Sequence, residues 1–346
     1  MPEITTTLAS DTNKTAEQLV AERLNRLIVA GRGEQPDRIP IFLPCSYYLA
    51  EVGGITHQEQ QDNFEKAQDL LEQVLQQYQA DTAMGLFNDP GPSLVLGDRM
   101  TRWPGHQLPA TGSFQFDEHE FMKAEDYDAF LADPADWGIR VYMPRAFSEL
   151  QGLSLLPPLG LTVYGHYALP NLPMLLVPPV AAALKALGEA AEKASVTLAN
   201  MMRSNERLAA LGFPPMIYFG GIAEAPFDLM SDTMRGMRGI FLDMLRCPDK
   251  LLAAQEKVAA FQVEYLLSFC QATGAKYVFF PLHRGSDGFM SIKQFEKFYW
   301  PQLTGMFDKL IEREITPFVF YEGVWNQRLK HVAALPKGKT IGWFQA

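Results

Sequence analysis

The sequence is poor in cysteine. Cys45, Cys247 and Cys270 stand far apart in 346 residues, and no two form a Cys-x-x-Cys pair. That argues against a disulfide scaffold and fits reduced thiols in a cytoplasmic protein. There is no basic block, and the formal net charge is -10. Neither nucleic acid nor an anionic membrane is therefore expected as a partner, although local arginines can still hold a small anion. The most apolar stretch, Leu169 to Leu187, is interrupted by Pro170, Pro173, Pro178 and Pro179, which speaks against a membrane span. Met1 to Asn13 lacks the basic and apolar regions of a signal peptide. Also missing are G-x-x-x-x-G-K-[ST], G-x-G-x-x-G after a strand, H-E-x-x-H and G-x-S-x-G. Their absence lowers the weight of nucleotide-phosphate and serine-hydrolase chemistry. No internal repeat or low-complexity block is evident.

What remains is an alternation of apolar strands and amphipathic helices. Residues 1–14 read as a frayed tail, and 15–346 as one (β/α)-barrel domain with an irregular insertion at about 93–177. Leu19, Val20, Leu24, Leu27 and Ile28 share a helical face. Phe64, Leu71, Val74, Leu75 and Tyr78 do the same in a helix expected from Gln58 to Tyr78. Further helices are expected over about 180–211, 231–246, 249–273, 292–313 and 326–334. The insertion suggests a hairpin near Leu94–Leu108 and a short helix near Ala124–Leu131.

Six short strands are expected. They are Asp37–Leu43, Ala80–Phe87, Pro215–Phe219, Lys276–Phe280, Pro317–Phe320 and Lys339–Phe344. Apolar strands separated by helices imply parallel pairing with both faces buried. An eight-stranded barrel needs two more such units, so the chain reads as an open barrel or as one truncated after strand six.

In parallel barrels chemistry sits at the C-terminal strand ends and in the loops that follow. That filter selects Cys45, Tyr47 and Tyr48 after strand one, and Asn88 and Asp89 after strand two. It selects Gly221 and Glu224 after strand three, His283, Arg284 and Asp287 after strand four, Tyr321 and Glu322 after strand five, and Gln345 after strand six. Each has a plainer reading. Asp89 in Asn-Asp-Pro-Gly-Pro fits a turn cap as well as a catalytic group. His283 fits a structural histidine, but the polar Arg284–Gly288 loop beside it reads as flexible and favours function. Glu322 follows four apolar residues, where an unpaired carboxylate is costly. The aromatic pair Tyr47 and Tyr48 more often packs than reacts.

The ordered strand ends resemble the uroporphyrinogen decarboxylase superfamily, which includes the corrinoid-linked methyltransferases. The similar stretches are Pro36–Pro40, Ala80-Asp81 through Asn88-Asp89, and Gly274–Lys276. Ser291–Pro301 and Phe320–Gly323 complete them. The resemblance implies a (β/α)8 barrel with an N-terminal helical extension. It implies that Asp89 matches the aspartate that binds pyrrole NH groups in the decarboxylase. The decarboxylase also grips propionates with an arginine-rich loop, and here that loop reads Pro44-Cys45-Ser46-Tyr47-Tyr48, without arginine. The methyltransferases bind zinc through a His-x-Cys pair that falls on Phe320 and Glu322, so the histidine is lost and a carboxylate replaces the cysteine. His283, one strand away, is then the candidate to join Glu322 on a metal.

Three readings follow. The first is a corrinoid-linked methyltransferase acting on a small substrate. Asp89, His283 and Glu322 would be catalytic, and Tyr47, Asn88, Glu224, Arg284 and Tyr321 would bind substrate. Zinc is the implied metal, and methylcobalamin or a corrinoid protein the implied methyl donor. The second is a decarboxylase of a tetrapyrrole such as uroporphyrinogen. The third is a non-catalytic corrinoid- or tetrapyrrole-binding protein. In each, Asp89, His283 and Glu322 are expected to share a cavity, with Glu322 at least half buried.

Overall fold

The computed structural model describes residues 14–43, 45–83, 86, 89–158, 166, 169–214 and 219–345. Two compact units emerge. The first comprises residues 1–90, 102–115 and 194–218, and the second residues 91–101, 116–193 and 219–346.

In the first unit, the Ala16–Gly31 helix starts at a capping box in which Thr15 accepts from the Gln18 amide. Its deepest side chains are not the apolar stripe but Arg23 and Arg26. Arg23 donates to the Gly212 carbonyl at 2.6 Å and lies over the Phe213 ring. Arg26 pairs with Asp37, Glu22 and the fully buried Asp81. Asp81 also takes two bonds from Arg38, at 2.7 and 2.8 Å, and one from the Ile41 amide at 2.7 Å. This network fixes the parallel pair β1 (Phe42–Leu43) and β2 (Thr82–Ala83), with Phe42 opposite Thr82. The expected Gln58–Tyr78 helix is two helices, His57–Asp62 and Phe64–Tyr78. They part at Asn63, whose φ of -126° leaves the helical region and whose side chain caps the second piece. The Phe64–Tyr78 stripe packs with Cys45, Leu49, Ala80 and Phe213.

Strands β3 (Thr101–Arg102) and β4 (Gln115–Phe116) form a small sheet. The hairpin expected over Leu94–Leu108 is thus displaced, because Gly91–Leu96 is helical. The rest of the insertion within the described residues is mostly short helices: Tyr127–Ala132, Pro134–Trp137, Gly138–Tyr142, Met143–Ala146 and Ser148–Leu155. Asp133 caps the second of these through the Ala135 and Asp136 amides, with Pro134 at the first turn, where its missing N–H costs nothing.

The second unit is built on β5 (Phe219–Ile222), β6 (Tyr277–Leu282), β7 (Thr316–Tyr321) and β8 (Ile341–Phe344), parallel and in that order. The strand expected at Pro215–Phe219 falls mostly outside the described residues, and its described part continues to Ile222. Burial alternates along β6 and β7. Val278, Phe280, Leu282, Val319 and Tyr321 face the deep core, while their neighbours are only partly covered. Phe280 meets Phe307 of the Trp300–Ile311 helix edge to face at 5.0 Å. The Pro248–Thr273 helix ends at Gly274, whose φ of +73° is open to glycine at little cost.

The segment expected as a single helix over Ser231–Arg246 is broken. Pro226–Leu229 is α-helical, Met230–Arg235 is π-helical, and Gly236–Arg246 resumes the α-helix after Gly236 at φ +69°. An extra residue in the π-helical turn rotates the side chains that follow, and such turns often mark functional sites. No helix among the described residues is long and apolar enough to cross a membrane.

Candidate active site

The C-terminal ends of β5, β6 and β7 gather one cluster of polar side chains in the second unit. Glu224 follows β5, and its backbone is clamped by Gln262. The Glu224 amide donates to Gln262 Oε1 at 3.2 Å, and Gln262 Nε2 donates back to the Glu224 carbonyl at 3.2 Å. The side chain is held less completely. Glu224 Oε2 is buried and has no hydrogen-bond partner among the described residues.

Asp228 is fully buried and fully used. It accepts from the His283 and Arg284 amides, each at 2.9 Å, and from the Tyr299 hydroxyl at 2.6 Å. It therefore fixes the backbone just beyond β6. One helical turn later, Asp232 reaches the side chains of the same two residues. His283 Nδ1 donates to it at 2.7 Å, and Arg284 donates from Nε at 3.1 Å and Nη2 at 2.8 Å. On its other side His283 Nε2 lies 3.6 Å from Glu322 Oε2. Arg284 also reaches Glu118 at 3.3 Å.

The Arg284–Gly288 loop, read from sequence as flexible, is pinned from below. Buried Arg328 donates to the Gly285 carbonyl at 3.1 Å and to the Met290 carbonyl at 2.5 Å, and pairs with Asp287 at 3.4 Å. Gly285 is obligatory in that position, since a Cβ there would lie 2.5 Å from the Trp325 ring and 2.6 Å from the Tyr299 ring.

Charge and burial set opposing pulls. Burial would lower the His283 imidazole, but the bond to Asp232 and the charges of Asp228, Asp232 and Glu224 outweigh it and lift it to about 9. Asp232 is the counterpart. Burial would lift it, yet His283 and Arg284 hold it below the usual carboxylate range. Glu224 is pushed up to about 7, first by burial and then by the charge of Asp232. Asp228 is pushed up to about 6 by its complete burial, against the pull of His283. At neutral pH the cluster thus holds a cationic imidazole and a carboxyl close to its own midpoint.

The residues expected from sequence divide by unit. His283, Arg284, Glu224 and Glu322 meet in this cluster. Glu322, expected to be at least half buried, sits at that limit, its side chain being 50% exposed. Tyr321 ends β7 in the core, stacked on Phe344 at 4.5 Å and packed against Trp325. In the first unit, Tyr47 is buried, stacks on His57 at 4.2 Å and accepts from Gln61 at 2.6 Å. Asp89, also in the first unit, accepts a hydrogen bond from the Thr197 hydroxyl. Asn88 lies outside the described residues. Sequence reading missed Asp228 and Asp232, which sit on a helix rather than at a strand end. Their signal was present as two aspartates four apart, 228 and 232, just after the Pro226 helix start.

The family model for uroporphyrinogen decarboxylase (URO-D) matches residues 152–343, more than half of the 346-residue chain. The chain belongs to the uroporphyrinogen decarboxylase family. The match spans Glu224, Asp228, Asp232, His283, Arg284 and Glu322, so these six residues lie on the uroporphyrinogen decarboxylase core, whose fold is TIM-barrel-like α/β, while Glu118 lies outside it. A solved structure of a methyltransferase from Methanosarcina mazei is similar at 14% identity and a TM-score of 0.49, over 92% of this chain and 73% of that one. No curated relative matches.

Proposed function

We propose that this member of the uroporphyrinogen decarboxylase family is a methyl-transfer enzyme. It would take its methyl group from a methylated corrinoid, free or on a partner protein, and act on a small substrate. The observation that carries the proposal is the charge of the cluster. Among the described residues, Glu118, Glu224, Asp228, Asp232 and Glu322 surround two cationic groups, His283 and Arg284, and both are already paired with Asp232. A polycarboxylated tetrapyrrole would meet uncompensated negative charge there, and the Pro44–Tyr48 sequence offers it no arginine. A small neutral or cationic substrate meets no such barrier.

Glu224, Asp232 and His283 fit a divalent cation. Their ligand atoms all lie within 4.8 Å of one another, and the orphaned Glu224 Oε2 lacks any other partner among the described residues. Two carboxylates and an imidazole, without thiolate, suit zinc, manganese or iron. Such an ion would supply a Lewis acid that favours the deprotonated form of an acceptor thiol or hydroxyl. The protein's own groups do the rest. Asp228 and Arg328 fix the loop that presents His283, and Asp232 orients the ring through Nδ1, so that Nε2 would hold the ion or, in the metal-free site, exchange a proton with substrate or with Glu322.

A second reading, decarboxylation, is favoured by one feature. A cationic His283 and a Glu224 near its midpoint are proton donors, as protonation of a carbanion after loss of CO2 requires. Methylcobalamin consumption, followed by absorbance with a panel of thiols and phenols, separates the two. Methyl-transfer is expected to give turnover with at least one acceptor. No turnover, with uroporphyrinogen losing carboxylates instead, would overturn the first reading.

A further inference from the structure

Glu224 sits where β5 runs out of partners. The Ala223 amide still donates to the Phe279 carbonyl of β6, at 2.9 Å. Successive residues of an extended chain turn their backbone groups to opposite sides, so the amide and carbonyl of Glu224 face away from β6. On that side β5 is the outer strand of its sheet, and no strand among the described residues pairs with it. Gln262 takes both groups instead, accepting from the amide and donating to the carbonyl. Its side-chain amide does there what a neighbouring strand does elsewhere, and leaves neither backbone group unpaired. Gln262 lies on the buried face of the Pro248–Thr273 helix, with Val258, Ala259 and Leu266. Leu266, one turn further on, comes close to β5, since a Cβ on Gly221 would lie 3.5 Å from it. A hydrocarbon would fill the same place in the core. The glutamine adds a grip on the backbone of one residue, and that residue carries a carboxylate of the cluster.

We propose, on the reading of Glu224, Asp232 and His283 as a cation site, that Gln262 is the positioning residue of that site. It acts only through Glu224, by fixing the backbone from which the carboxylate reaches the other two groups. Asp228 has the same part at the end of β6, where it accepts from the His283 amide. Two of the three ligands thus stand on backbone held by a buried side chain from another element. The third, Asp232, is carried by the π-helical turn itself. Three ligand atoms within 4.8 Å of one another tolerate little drift, and a group that orients a ligand is worth about 10- to 100-fold in metal affinity.

The test is cobalt(II) binding to the chelator-treated protein, followed by visible absorbance. Gln262→Met keeps the length of the side chain and removes both bonds. Its cobalt affinity is expected to fall by about 10- to 100-fold, with an altered absorption spectrum. Gln262→Asn, which keeps an amide but draws it back by one methylene, is a milder second variant with loss expected in the same direction. Leu251→Ala controls for stability, being a core change on the same helix about three turns away. It is expected to melt earlier but to bind cobalt within about twofold of the wild type, with the same spectrum. Glu224→Gln separates this role from the site it serves. If Glu224→Gln loses affinity while both Gln262 variants bind as the wild type does, the positioning role is overturned and the cation site stands. If the wild type binds no cobalt, or Glu224→Gln binds it equally well, the cation site itself falls and the role of Gln262 with it.

Discussion

Replacing Asp232 by asparagine removes the partner of His283 Nδ1 while keeping the shape of the side chain. The structure sets the size of the effect. In the metal-free protein His283 titrates at about 9 rather than 6.5, and the bond to Asp232 leads the contributions that raise it. That gap corresponds to about 3 kcal/mol, shared among Asp232, Asp228 and Glu224. An imidazole raised above its unfolded value stabilises the fold fully below pH 6.5, and progressively less as pH rises to about 9. Asp232→Asn is therefore expected to cost about 1–3 kcal/mol at pH 6 and clearly less at pH 10. The direct assay is NMR titration of the imidazole after chelator treatment. The wild-type midpoint is expected near 9, and the variant midpoint lower by about one pH unit or more. A wild-type midpoint near 6.5, or an equal penalty at both pH values, would refute the reasoning.

Glu224→Gln should raise the melting temperature at pH 8 and leave it little changed at pH 5. The carboxyl is lifted from 4.5 to about 7, so its ionisation costs the folded state up to about 3 kcal/mol once pH exceeds that value. Zinc or manganese binding, followed by calorimetry in buffers of different ionisation enthalpy, should release protons and strengthen between pH 7 and 9. Loss of His283 should weaken it by about 10- to 100-fold, and pH-independent binding would exclude this ligand set. Arg328→Met should destabilise the protein by about 3 kcal/mol in urea unfolding, because it strands Asp287 and the Gly285 and Met290 carbonyls. An unchanged midpoint would mean that the loop after β6 is held by other means.

Much of the strand framework was legible in the sequence because it depends on local rules. The runs at Tyr277–Leu282, Thr316–Tyr321 and Ile341–Phe344 are short, apolar and bounded by turn residues, and all three are parallel strands. Strand ends likewise exposed His283 and Glu322. What stayed hidden depends on long-range electrostatics. Nothing local marks Asp228 as the anchor of a loop 55 residues away, or Asp81 as the buried hub for Arg26 and Arg38. The π-helical turn at Met230–Arg235 is equally silent, since its sequence carries the ordinary pattern of an amphipathic helix. The anchoring of the Arg284–Gly288 loop was hidden for the same reason, since Arg328 reaches the Gly285 carbonyl only in the folded chain.

The most direct test of the central claim is the rate of methylcobalamin demethylation by the wild type and by His283→Gln, with uroporphyrinogen run in parallel. Methyl-transfer centred on the Glu224–Asp232–His283 cluster is expected to give wild-type turnover that falls by about 10²-fold or more in the folded variant, with uroporphyrinogen unchanged. Equal rates in the two proteins, or carboxylates lost from uroporphyrinogen with methylcobalamin untouched, would contradict it.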